Sequence, residues 1–282
     1  MTSTQQEIDL SYSVSNEFFK LWLDENMHYT CAVYESADQS LEDAQENKAR
    51  VLYDFAEMNK DKTILDIGCG WGSMMDYAAR RGSKAVHGIT LSTEQAKWCW
   101  DRKIPNSKII IEDYALYEPE EKYDALVSIE MIDHLCSPAQ ARQGLAIDLY
   151  RQYFNRLAQW VEPGSCFGFQ AILRNRVPRR RQDLKDLAFT ADVIFPGGLN
   201  PRIEELVCAV NPNWEIEELH MRRQDYGRTT GEWLRRMRQH ENHIRATWGD
   251  QIFDDYDLYL STCVKAFAKH WSGDVQMKLR RI

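Results

Sequence analysis

The run Thr63-Ile64-Leu65-Asp66-Ile67-Gly68-Cys69-Gly70-Trp71-Gly72 constrains the fold most, because an apolar strand passes directly into a turn with glycine at alternate positions. Glycine tolerates positive φ and lets a ligand approach the backbone closely. The helical composition of the residues that follow, from 73 onward, would aim amide donors into the crevice beside that turn. Asp66 stands inside the motif, and a second apolar stretch, 85–89, ends about twenty residues later, which is the β-α-β rhythm of a doubly wound sheet. The last glycine, Gly72, comes too soon after Gly70 for a dinucleotide fingerprint, and no P-loop lysine follows. A nucleoside ligand of the S-adenosylmethionine type is therefore expected in preference to NAD or ATP.

A chain of 282 residues, 44% hydrophobic, can bury a sizeable core as one elaborated domain. Its net charge of −8 argues against nucleic acid or an anionic membrane surface as the main partner. No basic, apolar signal-like N-terminus is seen, and the most apolar stretches, 64–72 and 125–132, are too short to span a bilayer, so a cytoplasmic protein is expected. Seven cysteines without CxxC pairing suggest neither a disulfide framework nor a zinc site, and no metal is expected.

The N-terminal segment is dense in aromatics (Tyr12, Phe18, Phe19, Trp22, Tyr29, Tyr34), and 41–58 reads as an amphipathic helix with Ala44, Val51, Leu52 and Phe55 on its apolar face. Residues 1–58 are thus read as a helical lid, and 59–282 as the core. Strands are expected at 63–67, 85–90, 108–112, 125–130 and 166–173, with helices at 73–81, 92–102 and 138–160, an α/β alternation that a mostly parallel Rossmann-like sheet satisfies. After Arg174 the rhythm breaks into a charged stretch and the turn Phe195-Pro196-Gly197-Gly198, an insertion spanning about 174–212. A strand at 214–221, a segment at 226–248, an amphipathic helix at 254–271 and a last strand at 275–279 complete the pattern.

Tyr29-Thr30-Cys31-Ala32, the glycine motif, Gly88-Ile89-Thr90-Leu91-Ser92 with Gln95, Ser128-Ile129-Glu130-Met131, Phe195-Pro196-Gly197-Gly198, and Tyr226 followed by Trp233 occur in that order. Together they resemble the cyclopropane-fatty-acid synthase and mycolic acid cyclopropane synthase family of class I S-adenosylmethionine-dependent methyltransferases, a superfamily that also includes alkene C-methyltransferases and alkaloid N-methyltransferases. The resemblance implies S-adenosylmethionine as cofactor. It places Gly68 and Gly70 against the amino acid and ribose, Thr90, Leu91 and Gln95 near the ribose, and Asp113 and Tyr114 around adenine. Tyr29 and Thr30 close over the methionine portion, and Asp66 and Glu130 complete the cofactor-binding set.

The same resemblance implies a catalytic group, Cys31, Asp133, His134, Gln170 and Tyr226, around a bicarbonate base that the family holds with a cysteine, a glutamate, a histidine, an isoleucine and a tyrosine. Cys31, Ile172 and Tyr226 match, whereas Asp133 stands for the glutamate and Gln170 for the histidine. Glutamine cannot exchange a proton near neutral pH. The expectation is therefore simple C-methylation of an alkene-bearing or other nucleophilic small molecule, a specialised metabolite, and the absence of an extra N-terminal domain points away from a bulk phospholipid. Alternatives are N-methylation of a small amine, cyclopropanation of a lipid acyl chain, and a scaffold that binds the cofactor without turnover. Phe19, Trp22 and Tyr226 are candidate faces for a cationic intermediate. The arginines 174, 176, 179, 180 and 181 are candidates for docking an anionic handle on the acceptor. A homo-oligomer is compatible with the sequence.

Overall fold

The computed structural model describes residues 14–282. Tyr12, counted above with the N-terminal aromatics, lies outside the described residues. Strands β1 (Thr63–Ile67), β2 (Ala85–Thr90), β3 (Ser107–Ile111), β4 (Tyr123–Ile129), β5 (Val161–Arg174), β6 (Trp214–Met221) and β7 (Ser272–Arg281) form one sheet in the order β3-β2-β1-β4-β5-β7-β6. The first five strands run parallel, and β7 is antiparallel to both neighbours. The sheet is thus the mostly parallel, Rossmann-like one expected, with its switch in strand order between β1 and β4, where ligands of open α/β sheets bind.

Alternation along the strands feeds two apolar layers. Ile64, Ala125 and Val127 face one cluster with Leu52, Met74, Met75 and Tyr77, from helices α2 (Leu41–Phe55) and α3 (Ser73–Arg80). Leu65, Ile67 and Leu126 face the other, with Tyr150, Tyr153, Phe154 and Leu157. Serine supplies the helix starts. Ser40 accepts from the Asp43 N–H at the head of α2, and Ser92 from the Gln95 N–H at the head of α4 (Thr93–Arg102).

The single helix expected over 138–160 is two, α5 (Pro138–Arg142) and α6 (Ala146–Gln159). The break lies at Gly144, whose φ of +79° no regular helix accommodates. Within the insertion, α7 (Arg181–Phe189) continues into one π turn (Thr190–Ile194), and α8 (Ile203–Val210) buries Leu206, Ala209 and Val210 in the cluster that holds the α6 aromatics. The 226–248 segment and the helix after it form α9 (Arg223–Gln239), α10 (Glu241–Trp248) and α11 (Asp250–Ala268).

A third cluster caps the sheet's C-terminal edge. Phe18 and Phe19, on the short helix α1 (Asn16–Lys20), and Trp22 pack against Trp71, Trp233 and Tyr256 in edge-on and tilted ring pairs. Such pairs contribute roughly 0.5–1.5 kcal/mol each beyond the area they bury. Arg236 of α9 adds a bidentate bond to Glu42 of α2, at 2.7 and 2.9 Å. The cover is therefore built from both ends of the sequence, the N-terminal segment and α9 to α11.

Candidate active site

A cavity of about 540 Å³ opens at the C-terminal ends of β1, β2 and β4, under the aromatic cover. Asp66, Gly68, Gly70, Thr90, Leu91, Gln95, Tyr114, Tyr29, Thr30 and Glu130, ten of the expected cofactor residues, line it. Gly70 has φ +53°, and a Cβ built on it meets no atom within 4 Å, as a backbone reserved for a ligand requires. The Ser92 N–H donates to the Thr90 hydroxyl, and that hydroxyl donates to the side-chain Oε1 of Gln95 at 3.0 Å. Asp113 is the exception. Its carboxylate turns back to accept from the Ala115 N–H at 2.8 Å, while its neighbour Glu112 lines the cavity.

Three polar residues in this half escaped the motif reading. Lys48 is 1% exposed, donates to the Thr30 hydroxyl at 3.2 Å, and is held down at about 8 by burial. Burial beside it pushes Asp66 up to about 7. Gln45 donates to the Thr30 carbonyl at 2.9 Å. His28 is buried on the cavity wall with its ring Nδ1 on Asp24 at 2.9 Å, and its Nε2 has no hydrogen-bond partner among the described residues. A signal existed for Lys48. It lies four residues from both Ala44 and Leu52, on the buried stripe of α2, where a solvated lysine has no place.

The acceptor half is organised around Glu130. This residue follows β4 with φ +56°, a left-handed conformation uncommon for any residue with a Cβ, and its N–H donates to the Gln170 carbonyl at 2.8 Å. Oε1 of its carboxylate accepts from the Cys31 N–H at 2.9 Å and from Gln170 Nε2 at 2.7 Å, and Oε2 accepts from the Tyr226 hydroxyl at 2.6 Å. Glu130, placed with the cofactor set by its motif, thus bonds to the residues matched to the family's bicarbonate base. Gln170 lies opposite Gln276 in the β5–β7 register, and Gln276 Nε2 donates to Gln170 Oε1 at 2.7 Å. Arg222 Nε in turn donates to Gln276 Oε1 at 2.9 Å.

Burial raises the Glu130 carboxyl above its ordinary value even with three donors on it. Burial and then the charge of Glu130 hold Asp133 well above the carboxylate range, and burial with the same charge does so for Asp274 on β7. Asp133 Oδ1 and both carboxyl oxygens of Asp274 have no hydrogen-bond partner among the described residues. Asp133 and His134 line the cavity on a 3₁₀ turn (Ile132–His134). The Leu199 N–H donates to the Asp133 carbonyl at 2.9 Å, and a Cβ on Gly198 would come within 2.8 Å of that oxygen. This close approach explains the second glycine of the Phe-Pro-Gly-Gly turn.

Of the aromatic faces expected for a cation, Tyr226 lines the cavity, stacked on Phe267 at 4.6 Å and 22°. Phe19 and Trp22 do not line it; they are packed behind Tyr29, and Phe195, Tyr259 and Phe267 occupy the wall. Of the arginines, Arg174 and Arg176 reach the cavity together with Arg202, whereas Arg179, Arg180 and Arg181 do not. Arg174 is bonded to Glu205 and to the Asn200 carbonyl. The Glu57, Cys166 and Glu217 side chains converge elsewhere, but Lys278 and Arg280 already bind both carboxylates.

Sheet order, glycine turn and strand-edge cavity define a class I methyltransferase that uses S-adenosylmethionine as methyl donor. The chain belongs to the mycolic acid cyclopropane synthetase family, whose model matches residues 1–277. Cyclopropane mycolic acid synthase 2 of Mycobacterium bovis is 28% identical over 284 residues, covering 95% of this chain and 92% of that relative. The S-adenosylmethionine-dependent methyltransferase UmaA of Mycobacterium tuberculosis is 28% identical over 288 residues, covering 98% and 97%. The solved structure of the cyclopropane synthase MmaA2 from Mycobacterium tuberculosis superposes with a TM-score of 0.90 at 25% identity over 99% of both chains. No helix among the described residues is long and apolar enough to cross a membrane.

Proposed function

We propose that the protein methylates a carbon of an alkene-bearing small molecule whose anionic end is held by Arg176 and Arg202. The observation that carries this reading is the Tyr226 ring, stacked on Phe267 at the cavity wall beside Tyr259 and Phe195. An alkene gains positive charge when it takes a methyl group, and aromatic faces stabilise that charge by roughly 0.5–2 kcal/mol each. The cofactor, when bound, supplies an electrophilic methyl and leaves as a neutral thioether.

Tyr29, Thr30, Asp66, Gly68, Gly70, Thr90, Leu91, Gln95, Glu112 and Tyr114 are the residues that would hold it. The protein's main contribution is alignment of the acceptor with the methyl donor, and alignment of this kind supplies roughly 7–11 kcal/mol. Names of the relatives point to acyl chains as their acceptors, so cyclopropanation of such a chain is the competing outcome. The test is product analysis with methyl-¹³C-labelled cofactor and three acceptors: a prenyl diphosphate, vesicles of oleoyl phosphatidylglycerol, and a small secondary amine. Label in a new C–CH₃ group of the prenyl compound is expected. Label on nitrogen only, or in a cyclopropane of the oleoyl chain only, overturns the reading.

A further inference from the structure

The Glu130 carboxylate is held in a way that neither cofactor binding nor packing requires. It sits on a left-handed residue at the switch point of the sheet, a conformation that costs roughly 1–2 kcal/mol without glycine and that tends to persist where it serves a site. The hydrogen-bond polarity around it is fixed from outside. Arginine can only donate, so Gln276 must accept from Arg222 through Oε1 and donate through Nε2. Gln170 must then accept through Oε1 and offer its own Nε2 to Glu130. The chain of donors ends on Oε1 of Glu130, which accepts.

An ionised carboxylate offers about four lone-pair sites. Three are taken here, two on Oε1 by Cys31 and Gln170 and one on Oε2 by Tyr226. One site remains, on Oε2, and Glu130 forms part of the cavity wall. Asp133 Oδ1 and both carboxyl oxygens of Asp274 have no hydrogen-bond partner among the described residues, whereas three donors converge on Glu130, so the geometry places the negative charge of this cluster on Glu130.

We infer that Glu130 is the built-in base of the site, its free Oε2 lone pair taking the proton that a methylated alkene must shed. The inference rests on the carbon-methylation reading. The acceptor's π pair forms the bond to the incoming methyl, which leaves a cation on the neighbouring carbon. A C–H bond next to that cation breaks, its electron pair forms a new C=C bond, and the proton moves to Glu130, which releases it to solvent after turnover. The positive charge that arrives with the methyl leaves as that proton, so charge balances. A carboxylate raised by burial is matched to this task near neutral pH. The same three donors would grip any small planar anion of equivalent chemistry if the side chain were removed.

Two variants test this. Glu130→Gly suits the left-handed backbone and leaves the Cys31, Gln170 and Tyr226 donors facing a gap; Glu130→Gln keeps the shape and removes the base. With protein saturated in S-adenosylhomocysteine, ¹³C-formate and ¹³C-bicarbonate are titrated and followed by NMR. Saturable binding to Glu130→Gly and none to the wild type is expected. In turnover with the prenyl diphosphate, Glu130→Gln should lose roughly 10²-fold or more in kcat at unchanged cofactor affinity, and formate should restore part of the Glu130→Gly rate. Saturable bicarbonate binding by the wild type, failure of Glu130→Gly to bind either anion while still binding S-adenosylhomocysteine, or full turnover by Glu130→Gln overturns the inference. Anion binding is read without any acceptor, so label appearing only on nitrogen overturns the carbon reading separately.

Discussion

At the ends of β1 and β2 the cavity wall is largely backbone and near neighbours in sequence, whereas at the ends of β4 and β5 it includes Glu130 and Tyr226, which are held by a network of side chains distant in sequence. Gly68, Gly70, Thr90, Leu91 and Gln95 lie within two short motifs, and the Thr90–Gln95 and Ser92–Gln95 bonds span no more than five residues. Cys31, Glu130, Gln170, Arg222, Tyr226 and Gln276 make one network across as many as 139 residues in a single contact, Gln170 to the Cys31 carbonyl. A backbone wall tolerates little change, because a side chain added there fills the space beside the turn. A side-chain network can change one member at a time, and here it carries Gln170 in place of histidine and a carboxylate on Glu130. The two halves therefore differ in how substitution acts on them.

The sharpest way to break the comparison is Gly70→Val. Its φ of +53° disfavours a β-branched residue, and the side chain would enter the space that meets no protein atom. Cofactor affinity measured by calorimetry should fall at least ~10³-fold, equivalent to roughly 4 kcal/mol, with the far-ultraviolet circular dichroism unchanged. Unaltered affinity would mean that the glycine turn is only a turn.

On the other half, Tyr226→Ala should lower kcat roughly 10²-fold while cofactor affinity holds. Tyr226→Phe separates the two uses of this side chain. It keeps the face stacked on Phe267 and loses the hydroxyl bound to Glu130, so a mild loss assigns the ring and a severe loss assigns the hydrogen bond. Full turnover by Tyr226→Ala would reduce the residue to packing.

The smallest effect concerns stability and joins the halves to the lid. Asp66 holds its proton up to about 7 in the folded protein against an ordinary value near 3.8. Between those values the folded state binds a proton that the unfolded state has lost, so stability falls as pH rises through that window, by up to ~1.4 kcal/mol per pH unit. Lys48, held at about 8 against 10.5, works the other way at higher pH, with stability recovering as pH rises from about 8. Urea denaturation of the cofactor-free protein from pH 5 to 7 should show the falling slope, and Asp66→Asn should make it shallower by up to the contribution of one proton, the raised carboxyls of Glu130, Asp133 and Asp274 keeping the same sign. An unchanged slope in that variant would place the titration elsewhere.

The strand-turn-helix alternation was legible because its signals are local: a period-2 apolar pattern, serine caps and glycine turns act within a few residues, and the expected strands at 63–67, 85–90 and 214–221 match the structure. Gly144 was equally local, yet the apolar periodicity running across it hid the break between α5 and α6. Lys48 was visible as a charge on a buried stripe, but its partner Thr30 was not, because nothing in 41–55 says which loop crosses above it.

By itself, then, the sequence determined the class of fold and the position of the glycine turn, since each rests on backbone conformation or on residue type, and it named Cys31, Asp133, His134, Gln170 and Tyr226 but neither Arg222 nor Gln276. Only the tertiary structure decided that Asp113 turns away while Glu112 faces the cavity, that Phe19 and Trp22 are buried support, and that the Glu130 carboxylate belongs with Cys31, Gln170 and Tyr226. The direction of a side chain and the polarity of a hydrogen-bond chain depend on which strands become neighbours. The antiparallel placement of β7 beside β5, which sets Gln276 opposite Gln170 and so fixes the donor aimed at Glu130, is a property of the assembled sheet.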